Sequence, residues 1–124
     1  MIAPMPSVLI VDDDPNMCFL ERMVLEAADG RFEVVGEAPS GEDAVRRWRD
    51  LHPQVIVMDD RLPGMSGLDA ARLILAEQPD QVIVLVTAEH DAATVAAAIA
   101  LGVRACLPKT DVRRLPGQLL GYSK

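Results

Sequence analysis

The chain has 124 residues, half of them hydrophobic but only four aromatic (two Phe, one Tyr, one Trp), and a net charge of −7. That is enough chain for one unstapled core built from Val, Ile, Leu, Met and Ala, which suits packed helices and buried parallel strands better than an aromatic-pinned sandwich. The acidic balance argues against nucleic-acid binding through a basic face. Cys18 and Cys106 lie far apart without CxxC spacing, which suggests neither zinc nor a disulfide framework but free thiols in a reducing compartment. With no signal peptide and no stretch long enough to span a membrane, the expected location is the cytoplasm.

Taken in order, Ser7-Val-Leu-Ile-Val11 is a short apolar run that ends on Asp12-Asp13-Asp14-Pro15, so it predicts a buried strand followed by a helix that Asp14 caps and Pro15 opens. Leu20, Met23, Val24 and Ala27 recur at helical spacing, and Asp29-Gly30 stops the helix. Phe32-Glu-Val-Val35 predicts the second strand. Ser40 is a candidate N-cap, with Ala44, Val45, Trp48 and Leu51 on one helical face. His52-Pro53 ends that helix, because a residue before proline is pushed out of the α region.

The third strand, Val55–Met58, delivers Asp59-Asp60 at its tip and breaks into the turn Pro63-Gly64. Leu68, Ala71, Ile74 and Leu75 form a third helical face that Pro79 stops. Val82–Val86 is the most apolar strand and ends on Thr87. An alanine-rich helix follows from about Asp91 to Leu101, with Gly102 at its C-terminus, and Arg104–Leu107 is a weaker fifth strand that ends on Pro108-Lys109. Val112, Leu115 and Leu119 keep helical spacing, but Pro116-Gly117 falls among them, so a fifth helix should be short, kinked or late-starting. Residues 1–124 read as one domain, with nothing left for an output domain.

Five strands alternating with helices predict a doubly wound parallel α/β sheet with right-handed crossovers, of order 2-1-3-4-5. Asp12, Asp13, Asp59, Thr87 and Lys109 then meet at the carboxyl edge, where such sheets present their chemistry. Three carboxylates in one crevice repel each other unless a cation sits among them, and an all-oxygen ligand set points to a hard divalent ion, magnesium first and manganese as a substitute. Lys109 and the Thr87 hydroxyl add a point charge and a donor. Together they describe a phosphoryl site, in which an aspartate can serve as the nucleophile.

The acidic cluster after the first strand, the stretch Met58-Asp59 to Leu62-Pro63-Gly64-Met65-Ser66-Gly67, Thr87-Ala88 and Lys109 resemble the receiver domain of two-component response regulators. Phe32–Ala38 and the following Ser40-Gly-Glu-Asp-Ala resemble, more narrowly, receivers that accompany helix-turn-helix output domains. The resemblance implies that Asp59 is a phosphoacceptor loaded by a sensor histidine kinase or a histidine phosphotransfer protein, and that the chain is not an enzyme acting on a released substrate. It implies magnesium ligation by Asp13, Asp59 and the Arg61 main-chain carbonyl, with Asp12 acting largely through water. Lys109, Thr87 and Ala88 would contact the phosphoryl group, Arg61 and Glu89 would tune its lifetime, and Pro63 and Gly67 would shape the turn. A downstream protein partner and a phosphorylation-dependent homodimer are further implications.

The chain departs from the family pattern in three places. Cys106 stands where an aromatic residue is usual, so an aromatic switch is not expected. Lys109 is followed by Thr110 rather than proline, which disfavours a cis bond after it. The broken last helix weakens the face formed by the fourth helix, fifth strand and fifth helix. Other readings are a haloacid-dehalogenase-like phosphatase with Asp12 and Asp14 as its DxD, a flavodoxin-like flavin binder, and a receiver that signals without phosphorylation. The phosphatase would need a cap for which there is no room, the flavin phosphate would meet three aspartates, and the intact acidic set argues against the last. Asp60, His52 and His90 read as solvated surface residues.

Overall fold

A computed structural model of the chain describes residues 5–27, 31–88 and 90–120. Its elements are β1 (Ser7–Val11), α1 (Pro15–Glu26), β2 (Glu33–Ala38), α2 (Gly41–Leu51), β3 (Val55–Asp59), α3 (Gly67–Glu77), β4 (Val82–Thr87), α4 (Ala92–Leu101), β5 (Ala105–Pro108), a 3-10 segment (Lys109–Arg114) and α5 (Leu115–Leu120). The strands pair in parallel in the order β2-β1-β3-β4-β5. This is the predicted doubly wound sheet. Among the described residues no helix is long and apolar enough to cross a membrane.

Alternation along the strands divides the core in two. Leu9, Val11, Ile56, Met58, Ile83 and Leu85 face one way, and Ala44, Val45, Trp48, Ala71, Ile74 and Ala98 of α2, α3 and α4 cover them. Val8, Ile10, Val55, Val57, Val84 and Val86 face the other way, under Cys18 and Leu25 of α1 and under Val112, Leu115 and Leu119. With both faces covered, β1, β3 and β4 need apolar residues at every position, which is why they read as unbroken runs.

Helix starts follow the capping residues. Asp14 Oδ1 accepts from Asn16 N (2.9 Å), Ser40 Oγ from Asp43 N (3.1 Å), Ser66 Oγ from Asp69 N (3.1 Å) and Asp91 Oδ1 from Thr94 N (2.7 Å). Each bond satisfies an amide that the helix cannot, at a gain of about 1 kcal/mol.

Four expectations need correction. The α1 stripe buried in the core is Cys18, Glu21 and Leu25, whereas Leu20, Met23 and Ala27 are exposed and Val24 is half-buried. The outer stripe, with Arg113 and Pro116, lines an open cleft of about 460 Å³. β2 runs on to Ala38 because Gly36 and Glu37 continue the pairing with β1 after a register shift. β5 starts and ends one residue later than expected. His52 ends α2 in the left-handed conformation (φ 48°), not the extended one, and its N–H still reaches Trp48 O. The stop expected at Asp29-Gly30 lies outside the described residues. The last helix is short and late-starting as expected, and it follows a non-helical Asp111. Peptide bonds among the described residues are trans.

The amino edge of the sheet is tied by one buried side chain. Gln81 Oε1 accepts from Trp48 Nε1 at 3.0 Å, and its Nε2 donates to the carbonyls of Pro53, Gln54 and Val82, each at 3.2 Å. This knot joins α2, the turn before β3 and β4. Gln81→Leu should strand the buried indole N–H and the Pro53 carbonyl and cost about 2–3 kcal/mol, read by urea unfolding through Trp48 fluorescence.

Candidate functional site

Register places the functional side chains. Val11 of β1 is level with Met58 of β3, so the residue after β1, Asp12, falls beside Asp59. Asp59 is level with Val86 of β4, and Thr87 with Pro108 of β5, which sets Lys109 at the next step along the same edge.

The carboxylates of Asp12, Asp13 and Asp59 offer oxygens that all lie within 4.8 Å of one another. Asp12 is 2% exposed and Asp59 4%, whereas Asp13 faces solvent. Lys109 Nζ reaches into the group, donating to Asp59 Oδ2 at 3.1 Å and standing 3.5 Å from Asp12 Oδ2. At such separations each like-charged pair costs roughly 3 kcal/mol, and each lysine contact returns a similar amount. The Lys109 ammonium therefore does not offset three crowded carboxylates, two of which, Asp12 and Asp59, are also losing water. Burial pushes the Asp59 carboxyl above its ordinary range, with Asp13 adding to the rise, although Lys109 and the Arg61 amide oppose it. Burial does the same to Asp12, with Asp59 adding. Burial alone would lower the Lys109 ammonium, but its hydrogen bond to Asp59 and the Asp12 charge outweigh it and hold the lysine above its usual value. The lysine gains from several anions at once, whereas its pull on Asp12 and Asp59 is outweighed by their burial.

Asp12 Oδ1 accepts from Asp14 N at 2.9 Å, but Asp12 Oδ2 is buried with no hydrogen-bond partner. A buried carboxylate oxygen held only by a 3.5 Å ion pair to Lys109, within an all-oxygen cluster, fits a hard divalent cation. Asp14 caps α1 and stands outside this group.

The loop after β3 is fixed from several sides. Asp59 Oδ1 accepts from Arg61 N (3.3 Å), Asp60 O from Gly67 N (2.8 Å) and Asp60 Oδ1 from Leu68 N (3.3 Å). Asp60 is thus half-buried and holds the turn, a correction to its expected role as a solvated charge. Gly67 has to be glycine because a Cβ there would overlap the Asp59 carbonyl oxygen. Gly64 adopts φ +73° beneath the Glu42 carboxylate, which accepts from Met65 N at 3.4 Å. Thr87 is buried at the end of β4, and Ala88 and Arg61 are exposed beside the site. Cys106 is half-buried against the α3/α4 core, and Glu89 lies outside the described residues.

The model of the response regulator receiver domain matches residues 8–119. The chain belongs to the response regulator receiver domain family. Its relatives include the response regulator GacA of Pseudomonas aeruginosa, 42% identical over 67% of this chain and 38% of that protein, and the chemotaxis protein CheY of Thermotoga maritima, 35% identical over 78% and 79%. The chain thus spans about two fifths of the GacA proteins it matches. Among solved structures it is similar to the signal receiver domain of the putative response regulator NarL from Mycobacterium tuberculosis, with a TM-score of 0.89, 27% identity and 96% of both chains covered. Receivers act as phosphoacceptors in two-component signalling and bind magnesium at such an acidic cluster.

Two residues of this receiver escaped the sequence reading. His90, taken for a surface residue, is exposed, but its Nε2 lies 3.0 Å from the Cys106 carbonyl oxygen. Nothing in its sequence surroundings signals that contact. Glu21, on the buried face of α1, is 1% exposed, and its Oε1 has no hydrogen-bond partner. The signal was its place between Cys18 and Leu25 at helical spacing, outweighed by the more apolar stripe beside it. Burial, then the Asp12 charge, push its carboxyl up to about 8 from an ordinary 4.5, against the pull of Lys109.

Below about pH 4.5 the folded and unfolded chains both hold the Glu21 proton. From there to about pH 8 only the folded chain keeps it, so stability falls as pH rises, by roughly 5 kcal/mol across the window. Glu21→Leu should flatten that slope and raise the unfolding midpoint most at pH 8, measured by urea unfolding at a series of pH values. An unchanged slope would place the titration elsewhere.

Proposed function

We propose that Asp59 is the residue of this receiver that takes the phosphoryl group, from a phosphohistidine on a sensor kinase or phosphotransfer protein. The observation that carries this reading is the meeting of Asp12, Asp13 and Asp59 oxygens within 4.8 Å around Lys109 Nζ, 3.1 Å from Asp59. Phosphoryl transfer asks for positioning and charge neutralisation more than for covalent machinery. An Asp59 oxygen forms the new P–O bond as the donor P–N bond breaks, and the bonding pair leaves with the imidazole nitrogen, which takes up a proton. The Arg61 amide and Lys109 orient the two Asp59 oxygens before the donor arrives. Lys109 then meets the incoming phosphoryl oxygens, and the Thr87 hydroxyl donates to them from the next strand, with the Ala88 amide beside it. Arg61 and Glu89 tune how long the group survives.

Asp13, Asp59 and the Arg61 carbonyl would hold magnesium, with Asp12 aligned through water. The ion, when bound, supplies the positive charge that offsets the crowded carboxylates and the transferring oxygens. Loading adds negative charge at one edge and shifts an equilibrium in the loops after β3 and β4, which alters affinity for a downstream protein or a second copy of the chain. A phosphatase with a DxD site is disfavoured because Asp14 serves as the α1 cap.

Incubation with magnesium and acetyl phosphate should add one phosphoryl mass to the wild-type chain and none to Asp59→Asn, read by intact mass. Modification that persists in the variant would move the acceptor elsewhere. Magnesium alone should raise the thermal midpoint in proportion to the logarithm of its concentration above Kd. That rise should be lost in Asp13→Ala, and Lys109→Ala should increase the rise because the ion then meets an uncompensated cluster.

A further inference from the structure

The start of α2 touches the loop that leaves β3, and the phosphoacceptor reading makes no use of that contact. Gly41 opens the helix and is buried. Positive φ among the described glycines belongs to Gly64 and Gly102, so the backbone at Gly41 does not call for glycine, and alanine would suit a helix better. Space does call for it. A Cβ on Gly41 would lie 2.5 Å from the Met65 carbonyl oxygen and 2.8 Å from the Met65 Cβ. Main chain cannot swing aside as the end of a side chain can. The next residue, Glu42, accepts from Met65 N at 3.4 Å, and its carboxylate stands over Gly64.

Met65 belongs to a loop that is pinned to the phosphoryl site at both ends. At one end Asp59 Oδ1 accepts from Arg61 N at 3.3 Å. At the other, Gly67 N donates to Asp60 O at 2.8 Å, with Gly67 packed against the Asp59 carbonyl. Between them Pro63 removes one backbone rotation, and the side chains of Leu62 and Met65 pack against the core. So short and so heavily tied a span cannot absorb a push on Met65 locally. The displacement passes to the main chain at Arg61 and Asp60.

We propose that Gly41 and Glu42 are positioning residues for the phosphoryl site: the first turn of α2 seats the loop after β3 and so sets where the Arg61 carbonyl stands relative to the Asp59 carboxylate. The inference rests on the reading of Asp59 and Arg61 given above. A residue that holds a metal ligand in place without touching the ion contributes about ten-fold or more to its affinity. Neither residue belongs to the acidic cluster, so their effect reaches the ion only through the loop.

The test is a magnesium titration of the full 124-residue chain, followed by the Asp13 and Asp60 amide signals in 15N NMR. Gly41→Ala should raise the half-saturating concentration about ten-fold. Glu42→Ala adds no bulk and should raise it about five-fold, whereas Glu42→Gln, which loses the same charge but keeps an acceptor oxygen, should stay within about two-fold of wild type. Gln81→Leu loosens the opposite edge of the sheet and should also stay within about two-fold, which separates positioning from a general loss of stability. If Gly41→Ala titrates like wild type, if Glu42→Gln behaves like Glu42→Ala, or if Gln81→Leu weakens binding as much as Gly41→Ala does, the seat on α2 is overturned while the Asp59 reading stands. Should Gly41→Ala fail to fold, the two Glu42 variants decide alone. If the wild-type chain shows no response to magnesium, the metal reading fails and the positioning role fails with it.

Discussion

The constraint on which the rest depends is a shortage of positive charge at the carboxyl edge. Two of the three carboxylates, those of Asp12 and Asp59, are almost fully buried, and among the described residues the Lys109 ammonium alone stands in the group. A protein folding for stability alone would not arrange this, because buried charges are favourable only when each is matched and fully hydrogen-bonded. The sheet imposes the arrangement: β1 and β3 are neighbours held in register by apolar pairs, so their first polar residues have to emerge side by side. The result is a crevice of under-matched negative charge, the kind of oxygen-lined site that favours a hard cation. Glu21 registers the same field from below: buried, with no hydrogen-bond partner for its Oε1, it keeps its proton up to about pH 8 rather than add another charge.

That deficit is useful only if the acids cannot relax away from one another, and the β3–α3 loop ensures that they do not. Asp60 closes the turn through both its carbonyl and its carboxylate, and the N-terminus of α3 comes so close to the Asp59 main chain that no side chain fits at position 67. Glu42, from the first turn of α2, holds the outer part of the same loop. Three elements therefore converge on the backbone around Asp59, and the position of its carboxylate is set before any ligand arrives. Preorganisation of this kind is what electrostatic catalysis asks of a site.

Most of this was legible in the sequence because the strands announce themselves. A strand covered on both faces has no polar position until it leaves the sheet, so the first Asp, Thr or Lys after each run marks the functional edge, and Asp12, Asp59, Thr87 and Lys109 could be placed together from spacing alone. The phase of α1 was not legible. Its more apolar stripe, Leu20 with Met23, Val24 and Ala27, is the outer one, because the Asp14 cap and the path out of β1 fix the rotation of the helix and turn Cys18, Glu21 and Leu25 inward. Hydrophobicity sets which stripes compete, and tertiary geometry chooses between them. The His90 contact escaped for a related reason. It joins a loop side chain to a main-chain atom of a different strand, and a carbonyl leaves no trace in residue identity. The second half of β2 was hidden by Gly36 and Glu37, which an edge strand tolerates and a central one does not.

The alanine-rich helix α4 has a consequence of its own. Of its ten residues only Ala98 is fully buried, and its ends are held by the Asp91 cap and by Gly102. Val95 and Leu101 are half-buried, Leu101 against the core, whereas α2 and α3 each commit several fully buried residues. Displacing α4 would therefore uncover less apolar surface than displacing α2 or α3. The domain thus sets a stiff charge trap beside the helix that is most lightly moored to the sheet.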